Sequence, residues 1–301
     1  MKSATSITDM GAGIFCLRAA NPGPMTGTGT NTYLLRSSTG AVLIDPGPNL
    51  DAHLRAILAA LGNLPLSAIL MTHAHLDHTA LTPRLVTATA APVFAFGAAN
   101  AGRSARMQAL AAQQTAGSAI IGGSEGVDAA FKPDFLLVDG QTVGFAGLDI
   151  GVIHTPGHMG GHLCFAYGTA LFSGDHVMGW STSLISPPDG DMTDYLASLA
   201  RLAVRHWVRF LPGHGAPIAD PAARLDELIA HRRAREAAIL AALRGAPATA
   251  HSLTALIYTT TPPALLPAAA RNIMAHLIDL EGRNLITTKD AITPTATFSV
   301  I

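Results

Sequence analysis

Residues 71–80 read MTHAHLDHTA, with His73, His75, Asp77 and His78 inside six positions. Imidazole nitrogens and carboxylate oxygens ligate divalent metals, and so dense a cluster points to metal binding. Separation by two is the period of extended chain, so His73, His75 and Asp77 are expected to point to one side. A zinc site on a helix would instead need two histidines four apart on one face. Three further junctions carry ligand types after an apolar strand and a glycine turn. They are His158 in HTPGHMGGH (154–162), Asp175 in LFSGDHV (171–177) and His214 in FLPGHGAP (210–217). Glycine allows the close backbone approach that converging side chains require. The set His73, His75, Asp77, His78, His158, Asp175 and His214 exceeds what one tetrahedral zinc takes. It suits two metals sharing one carboxylate, with Asp175 able to bridge them. Such a pair would lower the pKa of its water to roughly 7 and polarise the bond under attack, so no protein nucleophile is required.

The elements that must carry these residues are mostly short strands. The apolar run 66–71 reads as a buried strand leading into the histidine cluster. Further strands are expected at 13–18, 31–36, 41–45, 92–96, 135–138, 148–154, 162–167, 170–172 and 207–211. Helices are expected at 49–61, with Leu54, Ile57, Leu58 and Leu61 at helical spacing, and at 194–206, with Leu196, Leu199, Leu202 and Ala203 on one stripe. Residues 97–131, rich in Ala, Gly, Ser and Gln, read as an insertion or a mobile helical segment that could form a lid. This order implies layered α/β with helices outside. Beyond Asp220 the chain turns helical, continuing through 252–258 and 263–282, and ends in two candidate strands at 285–288 and 295–301. Three helices before a ribbon is a winged-helix order. The expected division is a hydrolase domain at 1–219 and a winged-helix-like domain at 220–301.

The 301 residues are 49% hydrophobic, enough for a substantial core. No run approaches a membrane span, and the first ten residues lack a signal-like apolar stretch, so a cytoplasmic location and no membrane partner are expected. The formal net charge of −1 offers no global attraction to nucleic acid. Cys16 and Cys164 form no CxxC pattern, so both read as small buried residues and any metal must use nitrogen and oxygen ligands.

THAHLDH, TPGH, SGD and PGHG, in this order, resemble the metallo-β-lactamase superfamily over roughly residues 10–220. The resemblance implies a four-layer αββα sandwich with its metals at one edge. It also implies that His73, His75 and His158 hold a first metal, that Asp77, His78 and His214 hold a second, and that Asp175 bridges. NPGPMTGTGTNTYLL (21–35), VLIDPGP (42–48) and the helical tail resemble the lactamase-beta-2-like branch, whose members carry a winged-helix-like C-terminal domain. There Asp45 would buttress the histidine loop. Antibiotic-degrading members often have cysteine where Asp175 stands, which argues against a dedicated β-lactamase and leaves promiscuous lactam turnover as a minor reading.

The expected activity is that of a binuclear metallohydrolase. Metal-activated hydroxide would attack an ester, thioester, lactone or phosphodiester, with Asp77 as the catalytic residue that orients or deprotonates it. Two divalent ions are expected, zinc fitting best and manganese or iron being alternatives. The expected substrate is a small acyl compound or single-stranded RNA, whose endonucleolytic cleavage is known in the branch that the chain resembles. A metal-responsive nucleic-acid binder without catalysis is the competing class. His162 and Tyr195 are candidate substrate contacts, and His154 reads as structural. Arg232, Arg233, Arg235 and Arg244 could meet phosphates, yet residues 220–301 carry eight Lys/Arg against seven Asp/Glu. That near-neutral tail fits a wall of the active site or a homodimer contact better than a nucleic-acid surface.

Overall fold

The computed structural model describes residues 6–115 and 126–301. Seven strands, β1 (Ser6–Asp9), β2 (Ile14–Arg18), β3 (Asn31–Arg36), β4 (Ala41–Ile44), β5 (Leu66–Leu70), β6 (Val93–Ala95) and β7 (Phe135–Leu136), form a first sheet in chain order. Its first four strands are antiparallel and the rest parallel. The parallel part needs crossovers, supplied by the helices α1 (Asp51–Leu61) and, after the histidine cluster, α2 (Leu76–Thr79) and α3 (Thr82–Thr89). A second sheet holds β8 (Thr142–Phe145), β9 (Leu148–His154), β10 (Leu163–Tyr167), β11 (Ala170–Gly174) and β12 (Arg209–Pro212), in the order β12-β11-β10-β9-β8.

The two sheets bury apolar faces against each other, with Tyr33, Val42 and Leu70 of the first meeting Val152, Phe165 and Phe172 of the second. The outer face of the first sheet is covered by Ile57, Leu61, Leu81 and Leu85. The outer face of the second is covered by α5 (Met192–Ala203) and the start of α6 (Pro221–Gly245). This is the four-layer sandwich, and it explains why the strands read as near-continuous apolar runs: both faces are covered.

The 25-residue α6 serves two cores. Leu225 and Leu228 pack on the sandwich, whereas Ile239 and Leu243 join α7 (Ala250–Ile257) and α8 (Leu266–Gly282). A small sheet β13 (Ala248–Thr249), β15 (Thr297–Val300) and β14 (Ile286–Thr288), in that spatial order, completes the winged-helix-like domain. Within the segment read as an insertion, α4 (Ala105–Thr115) puts Met107 and Leu110 into this C-terminal core, and Arg106 pairs with Glu281. Part of that expectation, residues 116–125, lies outside the described residues. Among the described residues, no helix is long and apolar enough to cross a membrane.

His276, buried on α8, has neither ring nitrogen hydrogen-bonded. Burial, aided by Arg232, His231, Arg283 and Arg235, holds its pKa down to about 3. A histidine depressed on folding contributes stability above its unfolded pKa, near 6.5, and loses it as pH falls toward 3. Urea melts of metal-free protein at pH 7 and pH 4.5 should therefore show about 2–3 kcal/mol lost through this residue. His276→Met, an apolar replacement of similar size, should remove that part of the slope. An unchanged slope would show that His276 is charged inside the fold.

Candidate metal centre

Every candidate ligand follows the carboxyl end of a strand or lies in the turn of chain just after it. Beyond β5 the chain stays extended only to His75, whose carbonyl then accepts from Thr79 N and begins α2. Asp77 and His78 therefore lie on a helical turn, which corrects the expectation that extended alternation carries through Asp77. The turn is needed because it swings His78 inward under the sheet edge. There its Nδ1–H donates to Asp45 Oδ2 at 2.8 Å.

Two groups converge at the joined edges of the sheets, one of His73, His75, His158 and Asp175 and the other of Asp77, His78 and His214. Within each, one ligand atom per residue lies within 4.8 Å of the others. His75 Nδ1 stands 2.8 Å from His73 Nε2 and 3.1 Å from His158 Nε2. Tetrahedral zinc with bonds of 2.0–2.1 Å places its ligands about 3.3 Å apart, so the spacing is nearly that of a coordination shell. Asp175 stands between the groups. Its Oδ2 is 4.0 Å from His73 Nε2, 3.9 Å from His158 Nε2 and 3.3 Å from His214 Nε2, and its Oδ1 is 3.5 Å from His78 Nε2. In the second group Asp77 Oδ2 lies 3.1 Å from His214 Nε2 and 3.5 Å from His78 Nε2.

Second partners fix how the rings face. Thr72 Oγ1 donates to Asp45 Oδ2 at 2.7 Å, so at 2.9 Å it accepts from His73 Nδ1–H. His158 Nδ1–H donates to the Leu184 carbonyl at 2.7 Å and His214 Nδ1–H to the Gly29 carbonyl at 3.2 Å. In His73, His78, His158 and His214 alike, the Nδ1 proton is tied down and Nε2 is turned toward the centre, as metal-binding histidines require. His73 and His158 then present two lone pairs to His75 Nδ1, which can donate one proton at most. His78 Nε2 and Asp175 Oδ1 are buried without a hydrogen bond. A divalent cation in each group satisfies all of these atoms, and the donor set therefore fits metal.

The charges agree. Burial, aided by the neighbouring His158, pushes His75 down to about 3, and burial likewise holds His73 well below the imidazole range. Burial alone would also depress His78 and His214, but carboxylates outweigh it. Asp77, Asp175 and Asp45 raise His78 well above its usual range, and Asp175 and Asp77 bring His214 to about 9. Conversely, burial would raise Asp77 and Asp175, and the same histidines override it, holding both carboxyls well below the carboxylate range.

Two expected substrate contacts are corrected. His162 is fully buried, its Nδ1 at 2.8 Å from Thr155 Oγ1 and its ring stacked behind His73 at 5.3 Å. Tyr195 is fully buried on the inward stripe of α5, beneath the Arg232 guanidinium. Both support the site from behind. His154 is structural as expected, donating Nε2–H to Gly160 O at 2.7 Å and stacking on Phe96. Sequence reasoning missed Thr30, whose hydroxyl donates to Asp77 Oδ2 at 3.1 Å, although it lies in the quoted NPGPMTGTGTNTYLL.

The centre opens into a cleft of about 500 Å³. One wall is Met25, Met178, Trp180 and Leu184 of the sandwich, and the other comes from residues 258–272, including Tyr258 and Leu265. Among the described residues, Arg271 is the one lysine or arginine lining it. Of the arginines that could have met phosphates, Arg232 is buried and Arg235 stacks on Tyr258 at 4.4 Å, in line with the favoured reading of the tail as a wall.

The comparisons with known proteins agree with this architecture. The Beta-lactamase-like protein 2 homolog of Drosophila melanogaster is 31% identical over 288 residues, covering 92% of this chain and 90% of the relative. The Lactamase-like protein aptB of Emericella nidulans is 29% identical, covering 79% and 67%. A metallo-beta-lactamase family protein of Thermus thermophilus superposes with a TM-score of 0.75 at 26% identity, covering 96% of this chain and 99% of that one. A beta-lactamase domain protein of Burkholderia ambifaria shares the fold at a TM-score of 0.81 and 21% identity, covering 100% and 95%. Residues 249–292 match the beta-lactamase associated winged helix domain. Residues 25–214, which span both ligand groups, match the metallo-beta-lactamase superfamily, and the chain belongs to that family.

Proposed function

We propose that this protein is a binuclear metal-dependent hydrolase of small acyl substrates: esters, thioesters or lactones. His73, His75 and His158 would hold one divalent ion, Asp77, His78 and His214 the other, and Asp175 would stand between them. Zinc suits the nitrogen and oxygen donors best. Bound metal would supply an acidified water and a Lewis acid for the carbonyl oxygen. The chain's own contribution is to hold that geometry. Asp77, at the cleft floor, accepts a proton from the attacking water or orients it, and Thr30 holds its carboxylate.

The observation that carries the substrate class is the cleft wall. A polyanion needs rows of cations along its path, because phosphate contacts dominate nucleic-acid affinity. Here the lining is mainly apolar with a single arginine among the described residues. An apolar concavity with a few convergent polar groups is the usual form of a small-molecule site.

The test offers metal-loaded protein a series of acyl esters and thioesters beside an end-labelled single-stranded RNA. Acyl hydrolysis without RNA cuts is expected. RNA cuts that vanish in Asp77→Asn, without acyl turnover, would overturn the acyl reading. Within the acyl series, Trp180→Ala and Leu265→Ala should each raise KM for long-chain or aromatic acyl groups about tenfold, with kcat little changed, because each removes roughly 1–1.5 kcal/mol of apolar contact. An equal rise for acetyl substrates would place neither side chain against the acyl group.

A further inference from the structure

The segment between Asp175 and α5 does more than line the cleft. At its centre, residues 183–185 make four bonds in opposite directions. Toward the candidate metal centre, Ser183 Oγ donates to the Asp175 carbonyl at 2.6 Å, and the Leu184 carbonyl accepts from His158 Nδ1–H at 2.7 Å. Toward the C-terminal domain, the Ser183 carbonyl accepts from the Arg232 guanidinium. The Ile185 N–H donates to Asn272 Oδ1 at 3.0 Å, and Arg232 Nη1 donates to the same oxygen at 3.2 Å.

Arg232 is an expensive residue to place here. It is 1% exposed, and among the described residues no carboxylate lies within ion-pair distance of it. Its charge rests on a backbone carbonyl, an amide oxygen and the face of Tyr195 at 5.2 Å. An unpaired buried cation is costly unless its hydrogen bonds are well placed. Two helical turns earlier on α6, Arg224 holds the same segment by the carbonyls of Met178 and Ser181, at 2.8 and 2.7 Å. The helix thus grips residues 178–185 at both ends.

We infer that Arg232 and Asn272 of the C-terminal domain are positioning residues for His158 and Asp175, acting through the strap 183–185. The C-terminal domain thereby sets the ligand geometry as well as walling the cleft. This rests on the reading of His158 and Asp175 as metal ligands. Loss of either anchor frees the Leu184 carbonyl that orients the His158 ring and loosens the Asp175 backbone. Partners one step beyond a ligand typically govern 10- to 100-fold in metal affinity.

The experiment is a cobalt(II) titration of full-length Asn272→Ala and Arg232→Met, followed by the visible spectrum and by competition with a chelator. Melting of the metal-free proteins is measured alongside. Arg233→Met, the exposed neighbour, is the control, and Arg232→Lys tests rescue of the bond to Ser183. A 10- to 100-fold weaker affinity with an altered cobalt spectrum is expected in Asn272→Ala and Arg232→Met, with partial recovery in Arg232→Lys. If Arg232→Met does not fold, Asn272→Ala reads the same strap. Parent-like affinity and spectrum in Asn272→Ala would overturn the inference alone. A parent protein that takes up no metal would sink both this inference and the hydrolase reading.

Discussion

Asp77→Asn is expected to lower kcat on an acyl ester or thioester by about 10²–10⁴, the range for loss of a positioned acid–base group. The carboxylate lines the cleft, 3.1 Å from His214 Nε2 and 3.5 Å from His78 Nε2, and accepts from Thr30 Oγ1 at 3.1 Å. Asparagine keeps its shape and one acceptor oxygen but loses the charge. Two consequences follow. The group that would take a proton from the attacking water is gone. The second ligand group also loses one of the two carboxylates that hold His214 at about 9, so His214 titrates at lower pH. A His214 with a raised folded pKa stabilises the metal-free protein at low pH and loses that contribution as pH rises through 9. In Asp77→Asn this loss should move to lower pH. Steady-state kinetics with metal content measured on the same sample decides the point. Parent-like turnover at full metal content would remove Asp77 from both roles.

The seven residues that the fold brings together were legible in the sequence because four crowd into residues 73–78 and the other three each follow a strand and a glycine, patterns readable without coordinates. It misled where local period gives way to tertiary need. Alternation at two fits His73 and His75, but burying His78 against Asp45 required α2 to begin at once, so Asp77 and His78 are helical. Tyr195 reads as a candidate substrate contact from its place after the Asp175 loop, yet Met192, Tyr195, Leu199 and Leu202, spaced three, four and three, form the buried stripe of α5. The helix begins two residues earlier than periodicity suggested because Asp191 caps it, accepting from Thr193 N at 2.9 Å. The strands β1, β8 and β13 went unseen for other reasons. Ser6–Asp9 is an exposed edge, Thr142–Phe145 carries a glycine, and Ala248–Thr249 is two residues long. The near-neutral tail reads as a wall of the active site, but the side chains lining the cleft could not be read. One wall comes from around residues 25 and 180 of the sandwich and the other from around 265, and only the docking of the C-terminal domain sets them face to face.

Gly213→Ala is the second large effect expected, and it tests whether the two ligand groups are one constellation. Gly213 lies where β12 hands over to His214. Its N–H donates to the Gly174 carbonyl at 2.8 Å, and its carbonyl accepts from Asn31 N at 2.7 Å, so its backbone has little freedom to retreat. A Cβ there would overlap the Asp175 carboxylate and approach His78 Cε1 to 2.8 Å. One added methyl therefore displaces both the residue between the groups and a ligand of the second. Overpacking of this kind costs typically 1–3 kcal/mol, which a domain of this size survives. The chemistry is less tolerant, since a shift near 1 Å costs on the order of 10²-fold in rate. The expected result is a folded protein that keeps about one metal equivalent after dialysis instead of two, with turnover reduced roughly 100-fold or more. Gly245→Ala, where a Cβ meets nothing within 4 Å, should change neither. If Gly213→Ala retained both metals and full turnover, Asp175 would have room to move, and a fixed carboxylate shared between two ions could no longer describe this centre.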